Sequence, residues 1–115
     1  MQYMLLIYSE EGRWEKMPKD QQEAGMAAFN AYTDALRKAG ALKASDRLKP
    51  TSTATTVHIV NGKPHVQDGP FADSKERLGG YYLIDVPDLD AAITWASRCP
   101  GAQFGKVEVR PVWSM

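Results

Sequence analysis

The sequence predicts an α+β fold, and three observations carry that prediction. Two short segments, Tyr3 to Tyr8 and Tyr81 to Val86, are apolar on both strand parities, as expected of strands buried in a sheet. Two longer segments repeat apolar residues at helical spacing. Between them, Asn61-Gly62 sits between β-rich runs, the strongest short-range hairpin signal.

In order along the chain, Tyr3, Leu5 and Ile7 define one face of the first strand and Met4, Leu6 and Tyr8 the other. Glu10 to Lys19 reads as a polar loop with Gly12 and Pro18. A helix is expected from Asp20, with Asp20 as N-cap and Glu23 three residues on in a capping-box pattern. Its stripe is Met26, Phe29, Thr33 and Leu36 with Tyr32 beside it, and Gly40 is its stop. Ala41 to Leu48 is a weaker strand, interrupted by Ser45-Asp46-Arg47 and closed by Pro50. Thr53 to Val60 and Lys63 to Gln67 form the hairpin, and Asp68-Gly69-Pro70-Phe71 is a turn. Ala72 to Leu78 is a short polar segment expected to form a helical turn. After the strand at Tyr81 to Val86, Asp88 caps a second helix with Leu89, Ala92, Ile93 and Ala96 inward and Trp95 off the stripe. Val107 to Trp113 is the last strand, with Pro111 marking an edge or bulge and Trp113 expected to cap the C-terminus.

Setting the hairpin aside leaves βαββαβ, the ferredoxin-like split unit with an inserted β-hairpin. The 115 residues suffice for one domain, 1–115, and are too few for two. Two helices can cover only one face of such a sheet, yet two of its strands are apolar on both faces. A second copy of the chain covering the open face is the simplest outcome, giving an isologous homodimer. The alternative is that the hairpin or the C-terminal tail folds across it.

Fourteen Lys and Arg balance fourteen Asp and Glu, which argues against a nucleic-acid partner and an anionic membrane surface. No apolar run approaches the ~20 residues that span a bilayer. The start of the chain lacks the pattern of a signal peptide, and Cys99 is the only cysteine, so the expected location is cytoplasmic. Cys99, beside Trp95 and Pro100, reads as structural.

The densest run of unusual residues is Asp68-Gly69-Pro70-Phe71-Ala72-Asp73-Ser74-Lys75-Glu76-Arg77-Leu78-Gly79-Gly80-Tyr81-Tyr82. Taken bare, its first four residues are a turn in which Asp68 bonds the following amides. The whole run resembles the signature of the YCII-related family in its DGPF-motif subgroup. Further matches are the MxYMLLIY opening, Lys38-Ala39-Gly40-Ala41-Leu42, Asp88-Leu89-Asp90-Ala91-Ala92 with Trp95-Ala96, and Val107-Glu108-Val109-Arg110-Pro111-Val112. The resemblance implies a ferredoxin-like fold that dimerises as an α/β barrel with a cleft. Among related barrels are cofactor-independent monooxygenases, lactone isomerases and dehydrochlorinases. Members of the subgroup often lie beside extracytoplasmic-function sigma factors, which implies a regulatory or stress-linked setting. The better-known branch has been suggested to pair a first-helix His with an Asp. Here that His would fall near Phe29, and residues 1–57 hold no His, so only the Asp half, at Asp68, carries over.

His58 and His65 fall opposite one another by ladder counting from Val60 and Lys63. Two imidazoles are short of the four ligands of a structural zinc site, so no metal is expected. Gly79-Gly80 lacks the lysine of a phosphate loop, and no motif calls for a cofactor. The expected cleft lies at the sheet end near the Asp68 to Phe71 turn. It mixes Phe71 and Tyr32, with Phe29, against Asp68, Arg47 and Lys75, with Glu76 in the same run. Lys75 or Arg77 would hold an anion there, although Lys75-Glu76-Arg77 also reads as a solvated turn. Two functions follow: a small-molecule-binding dimer without catalysis, or a cofactor-free enzyme in which Asp68 is the general acid/base.

Overall fold

The computed structural model describes residues 1–113. The strands are β1 (Gln2–Glu10), β2 (Leu42–Arg47), β3 (Thr55–Val60), β4 (Lys63–Asp68), β5 (Glu76–Asp85) and β6 (Lys106–Pro111). The helices are α1 (Arg13–Lys16), α2 (Lys19–Lys38), α3 (Leu89–Arg98) and α4 (Gly101–Phe104). Four strands form an antiparallel sheet in the order β2-β5-β1-β6, the ferredoxin-like arrangement, while β3 and β4 make a separate two-stranded ribbon.

Each element follows from its residues. Gly40 ends α2 in the left-handed region at φ 71°, with Ala41 N–H donating to Leu36 O at 3.0 Å. Asp88 caps α3 by accepting from Ala91 N–H at 2.9 Å. In the ribbon, Asn61 and Gly62 take positive φ, and His58 lies opposite His65 as the ladder count requires.

Several boundaries differ from the sequence expectation. Helix α2 starts at Lys19 after Pro18 with no side-chain cap, and Asp20 instead accepts from Gln21 N–H within the first turn. The expected loop after β1 contains the single turn α1. The end of the segment read as a helical turn, Glu76 to Leu78, is strand: β5 begins at Glu76, because Arg77 and Glu76 pair with Ser9 and Glu10 of β1. Two glycines and two charged residues, Glu76 and Arg77, hide a stretch of strand whose stability comes from its partner.

The core lies between the helices and one sheet face, where Leu5, Leu36 and Ile84 are fully buried with Tyr3, Tyr82, Ala92 and Cys99. Helix α3 turns Ala92 and Ala96 inward and leaves Leu89 and Ile93 about half exposed. Trp95, expected off the stripe, packs against the core because its ring meets Tyr32 edge-on and its carbonyl accepts from Tyr32 Oη at 2.7 Å. Trp113 is 90% exposed, and the terminus it is expected to cap lies outside the described residues. The other sheet face carries Met4, Leu6, Tyr8 and, by the register, Tyr81 and Leu83, all partly exposed. Every residue of β4 is exposed, so the ribbon does not fold across that face.

The ribbon also makes the molecule large for its length. The radius of gyration is 16.1 Å, against about 13 Å for a compact chain of this size.

Candidate functional site: a cavity under the first helix

The principal concavity lies at the sheet end where β1 finishes and β5 starts, with a volume of ≈ 530 Å³. That is within the range of small-molecule sites. Its floor is the helix-side sheet face: Ile7 and Ser9 of β1, Ser45 and Arg47 of β2, and Gly80 and Tyr82 of β5. Met26, Phe29, Asn30 and Thr33 of α2 form one wall, and Trp14 of α1 another.

Two irregularities of the sheet aim the arginines. A bulge in β5 lets Ile7 pair with Gly80 and Tyr8 with Leu78, so Gly79 is the extra residue. The bulge puts Arg77, paired with Ser9, on the same face as Gly80. A second register shift, between Leu42 and Ala44, sets Arg47 opposite Gly80 on that face. A Cβ on Gly80 would lie 3.0 Å from Asp46 O, so glycine is what lets β2 approach there.

The two guanidinium groups differ in what they hold. Arg77 donates to Ser74 O at 2.8 Å and Thr51 Oγ1 at 2.9 Å, and pairs with Asp73 and Glu11. Glu11 also accepts from Thr51 N–H and Oγ1. Arg77 is thus a strut joining the loops after β1 and β2 to β5. Arg47 has no carboxylate partner among the described residues. Its guanidinium carbon lies 4.8 Å from the centre of the Trp14 ring. Trp14 is itself pressed on α2: a Cβ on Gly25 would come within 3.0 Å of its ring, and Gln22 Nε2 donates to its carbonyl at 2.8 Å.

Deeper in, Tyr82 Oη and Thr33 Oγ1 are 2.8 Å apart, and Thr33 Oγ1 is also 2.8 Å from Phe29 O. Burial pushes the Tyr82 hydroxyl above its ordinary pKa. It therefore keeps its proton at neutral pH. Tyr32 behind it is raised further, by burial first and then by the neighbouring Cys99 and Tyr82. Burial likewise raises the Cys99 thiol.

Of the residues singled out in sequence, Arg47 lines this cavity, together with Phe29 and the alternative Arg77. Tyr32 does not; beside Thr33 on α2 it is buried in the core, its hydroxyl donating to Trp95 O. The expectation that the main concavity touches Asp68 or Phe71 is corrected, since neither lines it. Asp68 is exposed at the end of the ribbon opposite Thr55, and Phe71 is 88% exposed. The physical reason is the length of β5: by starting at Glu76, it takes up residues that would have returned the turn to the sheet. Lys75 is exposed short of the strand, and Glu76 pairs with Lys106 across β1. Trp14, Thr33 and Tyr82 were missed as site residues. The signal for Tyr82 was available, as a tyrosine on the inner parity of a buried strand needs a hydroxyl partner.

His58 and His65 are exposed on the ribbon. Among the described residues, no three His, Cys, Asp or Glu converge on one point. No helix of the structure is long and apolar enough to cross a membrane.

A four-stranded antiparallel sheet backed by helices, with an aromatic and arginine-lined cavity between α2 and the sheet end, defines a ferredoxin-like α+β protein with a helix–sheet cleft. Residues 1–115 match the YCII-related domain. An uncharacterised protein of Rhizobium meliloti (strain 1021) is 38% identical over 114 residues, covering 97% of this chain and 92% of its own. The chain belongs to the YCII-related domain family. Among solved structures it is similar to 5-chloro-2-hydroxyhydroquinone dehydrochlorinase of Burkholderia phenoliruptrix, in complex with 2,5-dihydroxybenzoquinone. The TM-score is 0.57 at 14% identity, covering 99% of this chain and 94% of that one, a likeness of fold.

Proposed function

We propose that this chain is a small-molecule-binding protein of the DGPF-motif subgroup, working as a cytoplasmic homodimer. We place its ligand, a small planar oxygenated ring, in the cavity between α2 and the sheet. The observation that carries this reading is Arg47. It is a guanidinium without a carboxylate partner among the described residues, its carbon 4.8 Å from the centre of the Trp14 ring and its Nη1 4.0 Å from Met26 Sδ, in the lining of a ≈ 530 Å³ cavity. A planar fork beside an indole presents its remaining N–H groups to an acceptor oxygen and its aromatic neighbour to a ring. The ring bound by the similar dehydrochlorinase, 2,5-dihydroxybenzoquinone, is of this class and serves as one probe.

The dimer reading rests on the sheet's second face. Met4, Leu6, Tyr8, Tyr81 and Leu83 form an apolar surface that neither the ribbon nor a helix covers. Sedimentation at micromolar concentration is expected to give the mass of two chains; the mass of one would reject the dimer. Asp68 as a general acid/base is favoured by no observation, because within one chain its exposed carboxylate does not reach the cavity.

The binding reading is tested by calorimetry with a panel of small aromatic carboxylates and quinones. At least one member is expected to bind, and Arg47→Ala to weaken it about tenfold or more, as for a hydrogen bond to a charged group. Binding untouched by both Arg47→Ala and Trp14→Phe, or no binding across the panel, would overturn it.

A further inference from the structure

The hydrogen inventory at the inner end of the cavity decides what the ligand must carry there, and the argument rests on the binding reading above. Thr33 Oγ1 has one proton. At 2.8 Å from Phe29 O, a carbonyl that can only accept, that proton is donated within α2. The 2.8 Å approach of Thr33 Oγ1 to Tyr82 Oη therefore leaves Thr33 as acceptor and Tyr82 as donor. The Tyr82 proton is fixed on Thr33, and what its oxygen has left to offer is lone pairs. Both residues line the cavity.

The second anchor is Arg47. It lies opposite Gly80, two residues from Tyr82 on the same face of the sheet, and both side chains line the cavity. One anchor donates and the other accepts, so the ligand presents an acceptor oxygen at one end and a donor at the other.

We infer that Thr33 and Tyr82 make this a site for aromatic acids that also carry a hydroxyl: an anionic oxygen group on Arg47 and a hydroxyl donor on Tyr82. Tyr82 touches the ligand and sets specificity, whereas Thr33 is a positioning residue that acts through the Tyr82 proton. Burial keeps the Tyr82 hydroxyl protonated across the neutral range, so the preference does not switch with pH there.

The test is a matched pair of probes, 4-hydroxybenzoate and 4-fluorobenzoate, similar in size and charge but differing in the donor. The wild-type chain is expected to prefer 4-hydroxybenzoate by roughly tenfold, the cost of leaving a buried acceptor unpaired. Tyr82→Phe should reduce the ratio to about one while retaining 4-fluorobenzoate binding, which shows that the cavity is intact. Thr33→Ser should keep the preference. Thr33→Val, which frees the Tyr82 proton to donate, should lose most of it. Equal affinity of the wild type for the two probes, or a preference that survives Tyr82→Phe, overturns this inference and leaves the cavity reading standing. If neither probe binds, and the rest of the panel is also silent, the cavity reading falls and this inference with it.

Discussion

The β3–β4 ribbon and the cavity end of the main sheet are joined by a few residues and are built on opposite principles. The ribbon is local: two strands, one turn, a register set by Asn61-Gly62, and every residue of β4 exposed. The cavity end is non-local, assembled from five separated segments whose meeting depends on one bulge at Gly79 and one glycine contact at Gly80. The unusual residues of the sequence cluster next to the ribbon, yet the concavity forms where ordinary-looking residues converge. A motif marks where a chain needs special backbone, which here is the exit from the ribbon: Gly69 at φ 97° with its N–H on Ala54 O at 2.7 Å. It does not by itself mark where a ligand sits.

Truncation should separate the two regions most strongly. Leu36→Ala and Ile84→Ala, both at fully buried positions, should each cost about 2–5 kcal/mol in urea unfolding. Ile59→Ala, at 60% exposure on the ribbon, should stay within about 0.5 kcal/mol. A large loss at Ile59 would mean that another surface covers the ribbon in solution and would break the contrast.

Alkaline pH should act on the core between helices and sheet and not on the ribbon. The tyrosines have an ordinary value of 10.0 and Cys99 one of 9.0, and burial raises Tyr32, Tyr82 and Cys99 above these in the folded chain. The unfolded chain therefore releases its protons first. Stability is full below pH 9 and falls as pH rises through 9 for the thiol and 10 for the phenols, by at most about 1.4 kcal/mol per pH unit for each group. Urea midpoints at pH 7, 9 and 10.5 measure this, and Tyr32→Phe should flatten the decline. A midpoint that does not move between pH 7 and 10.5 would contradict the burial of these groups.

Much of the fold was legible where the cause is local. Gly40, Asp88 and Asn61-Gly62 each act within a few residues, and each does what its type and position predict. The face count was legible too, because it needs only strand parity and the number of helices. What could not be read was β5 below Tyr81, where Glu76 and Arg77 are strand only because Ser9 and Glu10 lie beside them. The site was lost with it. Arg47 was visible as a charge interrupting a strand, but the bulge that turns Arg77 inward and the α1 turn that lays Trp14 under Arg47 have no separate signature.

Two smaller effects sharpen the same contrast. Asp88→Ala removes the one N-cap hydrogen bond of α3 and should cost about 1 kcal/mol. Asp68→Ala removes a carboxylate with no hydrogen bond or ion pair among the described residues, so thermal unfolding should register a change within about 0.5 kcal/mol. A loss as large as that at Asp88 would restore the turn-capping role expected from sequence.

The central claim is that ligand binds under α2 and away from the DGPF turn, and hydrogen exchange reads both regions in one experiment. With saturating 4-hydroxybenzoate, amides in 10–15, 26–33 and 45–51 should gain protection while 55–71 exchange as in the free chain. Protection confined to 66–77, with the α2 segment unchanged, would contradict the account and return the site to Asp68.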